Sequence, residues 1–215
     1  RWVMPNWCMN TVTFEGTEQQ IKKIKKAVDK EELFDSFYPI PKALRETVSG
    51  SESAKPDWQK ENSGQLYMKH GADNWYDWCT TNWGTKWDAC DLSVLSEGTH
   101  DVTIGFSSAW SPGIGFYQHL FETMNKNVDD MGDPKFKIKA TYYEPGCDFI
   151  GIWENGYDVT YTLSDLEDNF FENDADGKRL EDDYGILENR AEDRATEKEE
   201  VQQWYEEGKE DLKLA

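Results

Sequence analysis

Ten tryptophans in a chain of 215 residues, half of them in two aromatic-rich segments, restrict what this chain can fold into. The first cluster is Trp75-Tyr76-Asp77-Trp78-Cys79-Thr80-Thr81-Asn82-Trp83-Gly84-Thr85-Lys86-Trp87-Asp88, and the second is Phe106-Ser107-Ser108-Ala109-Trp110-Ser111-Pro112. An indole is large and must place its N–H on an acceptor when it is buried. Several indoles interleaved with Gly, Asn and Thr therefore specify one packed corner or a binding surface. The length fits a substantial domain with an addition, large enough to bury a core without disulfide or metal staples.

The segments around the clusters supply an order of elements. Cys8, Asn10, Val12 and Phe14 alternate with Met9, Thr11 and Thr13 as a strand, behind an expected natural start at Met4. Thr17 and Gln20 form a capping box, and Ile21, Ile24, Ala27 and Val28 make the apolar face of the helix that follows. Leu33–Pro41 reads as an extended connector because of its two prolines, and polar residues 45–62 as a surface loop or insertion. A short aromatic helix is expected from Ala72 to Asn82, stopped by Gly84. Strands follow at Ala89–Leu95 and Val102–Phe106 around a Glu97-Gly98-Thr99 turn. Pro112-Gly113 introduces a helix expected to reach Asn127. Lys135–Tyr142 alternates as a strand, and Asp148–Trp153 and Tyr157–Leu163 meet at the hairpin signal Asn155-Gly156. This split β-α-β order predicts a ferredoxin-like α+β fold over 4–163, an antiparallel sheet with two helices on one face, extended by the last hairpin. An acidic helical segment occupies 164–215.

Met4-Pro5-Asn6-Trp7-Cys8-Met9-Asn10, Asn82-Trp83-Gly84-Thr85-Lys86-Trp87-Asp88-Ala89 and Ala109-Trp110-Ser111-Pro112 resemble the YubB ferredoxin-like (Api-type phage protein) family, as do Tyr143-Glu144-Pro145-Gly146 and Phe149-Ile150-Gly151. The resemblance spans Met4 to Leu163. It implies carriage by bacteriophages or conjugative plasmids and a role in the host cytoplasm. It transfers no catalytic residue.

The formal net charge is −20, and 164–215 holds 19 Asp or Glu against 7 Lys or Arg, a net of −12. Such a field repels nucleic acid and attracts basic surfaces, so direct nucleic-acid binding is not expected. Apolar runs are only a few residues long, so neither a transmembrane helix nor a signal peptide is expected. Cys8, Cys79, Cys90 and Cys147, with His70, His100 and His119, lack zinc spacing and read as thiols of a reducing cytoplasm. Cys8 sits on a central strand and reads as inert. Glu144 and Asp148 flank Pro145-Gly146, but acids are too abundant here for that pair to mean much. No phosphate loop, dinucleotide fingerprint or hydrolase elbow occurs, so no catalytic residue, metal or cofactor is assigned. Glu172–Asp183 matches part of a calcium loop, with substitutions at its first and last positions, and reads instead as an acidic turn between helices.

Two function classes follow. In the first, a non-enzymatic phage or plasmid protein binds and inhibits a host defence or nucleic-acid-handling protein, laying its acidic arm in that protein's basic groove as a nucleic-acid mimic. Its contacts would be Glu188, Glu192, Asp193, Glu197, Glu199, Glu200 and Trp204. The arm is expected as one long helix after Leu180, with an apolar seam of Leu180, Tyr184, Leu187, Ala191, Val201 and Tyr205. In the second, Trp7, Trp83, Lys86, Trp87 and Trp110 converge at one sheet end and hold a small ligand or nucleotide. Against that, Trp83 and Trp87 are expected to be mostly buried as packing.

Overall fold

The computed structural model describes residues 6–126 and 135–214, with side chains as far as residue 205. The expected start at Met4 and the end of the helix expected to reach Asn127 lie outside the described residues. The chain divides into two compact units, Arg1–Leu163 and Ser164–Ala215. Among the described residues, no helix is long and apolar enough to cross a membrane.

In the first unit β1 spans Trp7–Glu15, α1 Glu18–Asp29, α2 Leu33–Phe37, α3 Asp57–His70 and α4 Trp75–Asn82. They are followed by β2 (Cys90–Glu97), β3 (Asp101–Ala109), α5 (Ile114–Asn125), β4 (Lys137–Glu144), β5 (Phe149–Glu154) and β6 (Tyr157–Thr162). The six strands form one sheet in the order β2-β3-β1-β4-β5-β6, and every pairing is antiparallel. The first four strands with α1 and α5 thus have the ferredoxin-like order, and the β5–β6 hairpin extends the sheet. Val12 lies opposite both Ile104 and Ala140, which sets one apolar row across the three central strands. At the edge, β2 pairs with register breaks between Cys90 and Ser93 and between Val94 and Ser96, which make it a poor template for another strand.

One face of the sheet carries Cys8, Val12, Phe14, Val102, Ile104, Phe106, Ile138 and Ala140 into the core. The α1 residues Ile21, Ile24, Ala27 and Val28 are all buried there, and Thr17 closes the expected capping box with Gln20. Phe116, Tyr117 and Leu120 of α5 complete the layer. Tyr117 also satisfies a buried amide: its hydroxyl donates to Asn10 Oδ1, while Asn10 Nδ2 donates to Cys8 O and Ser108 Oγ.

Two expectations for the connecting segments need correction. Leu33–Pro41 is not simply extended, because α2 occupies its first half and buries Leu33 and Phe34. The cause is remote: the Asp88 carboxylate accepts from the N–H groups of Phe34 (2.7 Å) and Asp35 (2.9 Å) and so caps a helix of five residues. Residues 45–62 are not wholly loop either, since α3 starts at Asp57. Gln59 is fully buried, donates to Val48 O and Asp73 O, and accepts from Val48 N. Its three bonds fasten the polar segment to the domain.

In the second unit α6 spans Asp168–Asn173, α7 Ala175–Tyr184 and α8 Ile186–Leu214. Gly185, with a left-handed φ of 59°, ends α7, so the arm is two helices rather than the single one expected.

Candidate functional site

The Asn82–Asp88 segment sorts its side chains between interior and surface. Trp83 caps the C-terminus of α4, is 2% exposed, and donates Nε1–H to Tyr38 O at 2.8 Å. Its ring meets Phe34 and Trp78 edge-on at 5.7 and 5.8 Å. Gly84 follows with φ +86°, and a Cβ there would press on the backbone of Pro112, Ile114 and Gly115 at 3.2–3.3 Å. This close approach lets Phe116 N–H bond Trp83 O and Ser111 Oγ bond Gly84 O, joining the two tryptophan-rich segments. Thr85 then turns inward and donates to Ala109 O. Asp88 is inward too, accepting from three backbone N–H groups, those of Phe34, Asp35 and Ala89. Burial pushes its carboxyl up, and those three bonds oppose the rise.

Lys86 and Trp87 face the other way. The Lys86 ammonium lies 4.2 Å from the Trp87 ring centroid, 5.3 Å from that of Trp110 and 5.8 Å from that of Tyr76. Trp7 adds a fourth ring, 6.2 Å from Trp87 and tilted by 40°. Trp7 and Trp87 are each 36% exposed and Trp110 40%. The expectation that Trp87 is buried is therefore wrong. With Lys86 it is an outward member of a stretch whose inward members are Trp83, Thr85 and Asp88. Of the five ligand-site residues read from the sequence, Trp7, Lys86, Trp87 and Trp110 share one surface corner, while Trp83 belongs to the core. Tyr76 was missed because its helical position signals nothing of the ring's direction. A cleft of about 600 Å³ opens here, lined by Ser49, Lys55, Asn74 and Asp77 besides the rings.

Below the corner, Lys55 pairs with Asp73 at 2.7 Å, both side chains being largely buried. Lys55, then Ser63 and Asn74, hold the Asp73 carboxyl down at about 2, against an ordinary 3.8. Its folded value lies below its unfolded one, so the stabilisation is full above about pH 4 and is lost as pH falls towards 2. Asp73→Asn is expected to remove about 2 kcal/mol at neutral pH and to flatten that acid-side loss, as chemical denaturation between pH 2 and 7 would record.

The acidic arm presents a different surface. Glu188, Glu192, Asp193, Glu197, Glu199, Glu200 and Trp204 all lie on α8 and all are exposed. Asp193, Glu197, Glu200 and Trp204, spaced 4-3-4, share one stripe, and Glu188, Glu192 and Glu199 share another. The unit has its own internal ties: Arg190 and Arg194 each bond Asp168 at 3.0 Å, and the Arg190 guanidinium covers the Phe171 ring at 5.1 Å. The apolar seam closes only in part. Leu180 is buried, but Val201 and Tyr205 are exposed. Nor does Glu172–Asp183 form a calcium loop: it is helical on either side of Asp174, whose carboxylate is taken by the N–H groups of Asp176 and Gly177 at the start of α7.

The other candidate groups have structural surroundings. Burial pushes the Cys8 and Cys79 thiols up to about 12, far from the thiolate a nucleophile needs. His119 stacks on Tyr38 at 3.6 Å, and His100 Nδ1 contacts Gly16 O. Glu144 turns back to its own turn and accepts from Cys147 N–H.

No family model matches the sequence, and no curated protein matches it. A solved structure, that of a protein api92 from Yersinia pseudotuberculosis, is similar with a TM-score of 0.39 at 8% identity, covering 74% of this chain and 98% of that one.

Proposed function

We propose that this chain is a non-enzymatic binding protein of a phage or conjugative plasmid, whose acidic arm occupies a basic, nucleic-acid-binding surface of a host protein and inhibits it. The phage or plasmid setting rests on the sequence resemblance. One observation carries the rest: the exposed stripe Asp193, Glu197, Glu200 and Trp204 on α8, where Trp204 is 76% exposed. At a rise of about 1.5 Å per residue the three carboxylates stand about 5 Å apart along the axis, against about 3.4 Å per phosphate on one DNA strand. Glu188, Glu192 and Glu199 add charge on a second stripe, about 130° around the helix from the first. Arg190 and Arg194 share the Asp168 carboxylate, which offsets one of their two positive charges. A negative rod of this kind speeds encounter with a basic groove, and an indole at its side supplies an anchor of the type that dominates interface energies.

The test uses the immobilised full chain, with capture from bacterial cytosol and elution by duplex DNA. A protein captured in this way and released by DNA is expected to bind the Trp204→Ala variant more weakly by about 2 kcal/mol, with no change in thermal midpoint. Capture that neither DNA nor Trp204→Ala affects would contradict the reading.

A further inference from the structure

We propose that the tryptophan corner of the first unit is a mononucleotide site, with the base stacked on the indoles and the phosphate on Lys86. The inference is independent of α8 and of what α8 binds. Its first support is the charge on Lys86. In a chain with 43 acids and 23 basic residues, no carboxylate among the described residues lies within ion-pair distance of this ammonium. Rings hold it instead. Lys55, the other cation of the cleft, is already committed to Asp73 and Glu52. An incoming anion can therefore reach Lys86 without breaking an ion pair, and attraction to the rings keeps the ammonium in place.

The second support is backbone strain. Trp110 has φ 66°, a left-handed conformation in which a bulky residue is an outlier and glycine is the natural occupant. Its N–H bonds Asn6 O at 2.9 Å, an interaction that any residue could make. What the tryptophan adds is an indole beside Lys86, 40% exposed. Strain kept for the sake of an exposed ring is the pattern of a ligand site, not of packing. The third support is size and lining. The cleft of about 600 Å³ suits a small planar ligand, and Ser49 and Asp77 on its wall offer polar groups for a sugar or base edge. An uncharged saccharide would use the rings but leave Lys86 idle. A polynucleotide would meet the repulsion of a chain at −20, whereas a mononucleotide brings only about two charges into the local field of Lys86.

The experiment titrates the full-length protein with adenosine monophosphate, adenosine, inorganic phosphate, cellotriose and a thymidine oligomer, read by indole fluorescence and calorimetry. Adenosine monophosphate is expected to saturate the site, with every other probe weaker. Trp110→Gly relieves the left-handed strain, so its thermal midpoint should equal or exceed the parent's while affinity falls at least about fivefold, the low end for loss of one stacking ring. Lys86→Gln should bring adenosine monophosphate and adenosine to similar affinities. Absence of saturation by about 1 mM, undiminished binding by Trp110→Gly, or tighter binding of cellotriose or the oligomer would each overturn the proposal.

Discussion

Trp83→Ala is expected to destabilise the first unit by about 3–5 kcal/mol, the usual cost of deleting a large aromatic from a core. The indole is enclosed by Phe34 and Trp78, and its N–H is spent on Tyr38 O, so truncation leaves both a cavity and an unsatisfied carbonyl. The loss should spread, because Trp83 O also receives Phe116 N–H at the start of α5. Trp87→Ala, four residues along and 36% exposed, should cost about 1 kcal/mol or less. Equilibrium denaturation of the two variants measures the contrast. Equal costs would mean that the inward and outward assignment of this stretch is wrong.

Asp88→Ala is expected to cost about 2–4 kcal/mol, because it strips the acceptor from three backbone N–H groups at once. The damage should appear first in α2, a helix of five residues whose start the carboxylate caps. Hydrogen exchange would show Phe34 and Asp35 amides losing protection before those of β1. Asp88 also has a pH signature opposite to that of Asp73. Its folded carboxyl value is raised, chiefly by burial, so its contribution is fullest below the ordinary carboxylate range and declines as pH rises through the raised value. A variant as stable as the parent, with protected Phe34 and Asp35 amides, would show that α2 holds without the cap.

The same two residues explain what the sequence could and could not disclose. Alternation about Val12, Ile104 and Ile138, the Thr17–Gln20 box and the Asn155-Gly156 turn are local signals, and each stands in the structure where its period placed it. The α2 helix depends on an acceptor 54 residues away along the chain, which no window around Leu33 contains. The α3 helix was hidden for another reason: Trp58, Leu66, Tyr67 and Met68 make no apolar stripe, and the residue that anchors it is the polar Gln59. At the corner, residue types and spacing pointed to Trp7, Lys86, Trp87 and Trp110. They could not say that Trp83 and Trp87 part company, since that depends on where Gly84 turns the chain. The left-handed backbone of Trp110, which best distinguishes a site from packing, has no signature in the sequence.

The α8 stripe bears the central claim, and reversing its charge tests that claim most directly. The triple variant Asp193→Lys, Glu197→Lys, Glu200→Lys changes only exposed groups, so folding should be unaffected. The measurement is the association rate of parent and variant with the DNA-releasable host protein, taken from low to high salt. The parent should associate faster by about tenfold or more at low salt, the advantage should shrink as screening shortens the range of the field, and dissociation should differ far less. Equal association rates at every salt concentration would contradict the claim and leave the acidic arm as a solubilising appendage.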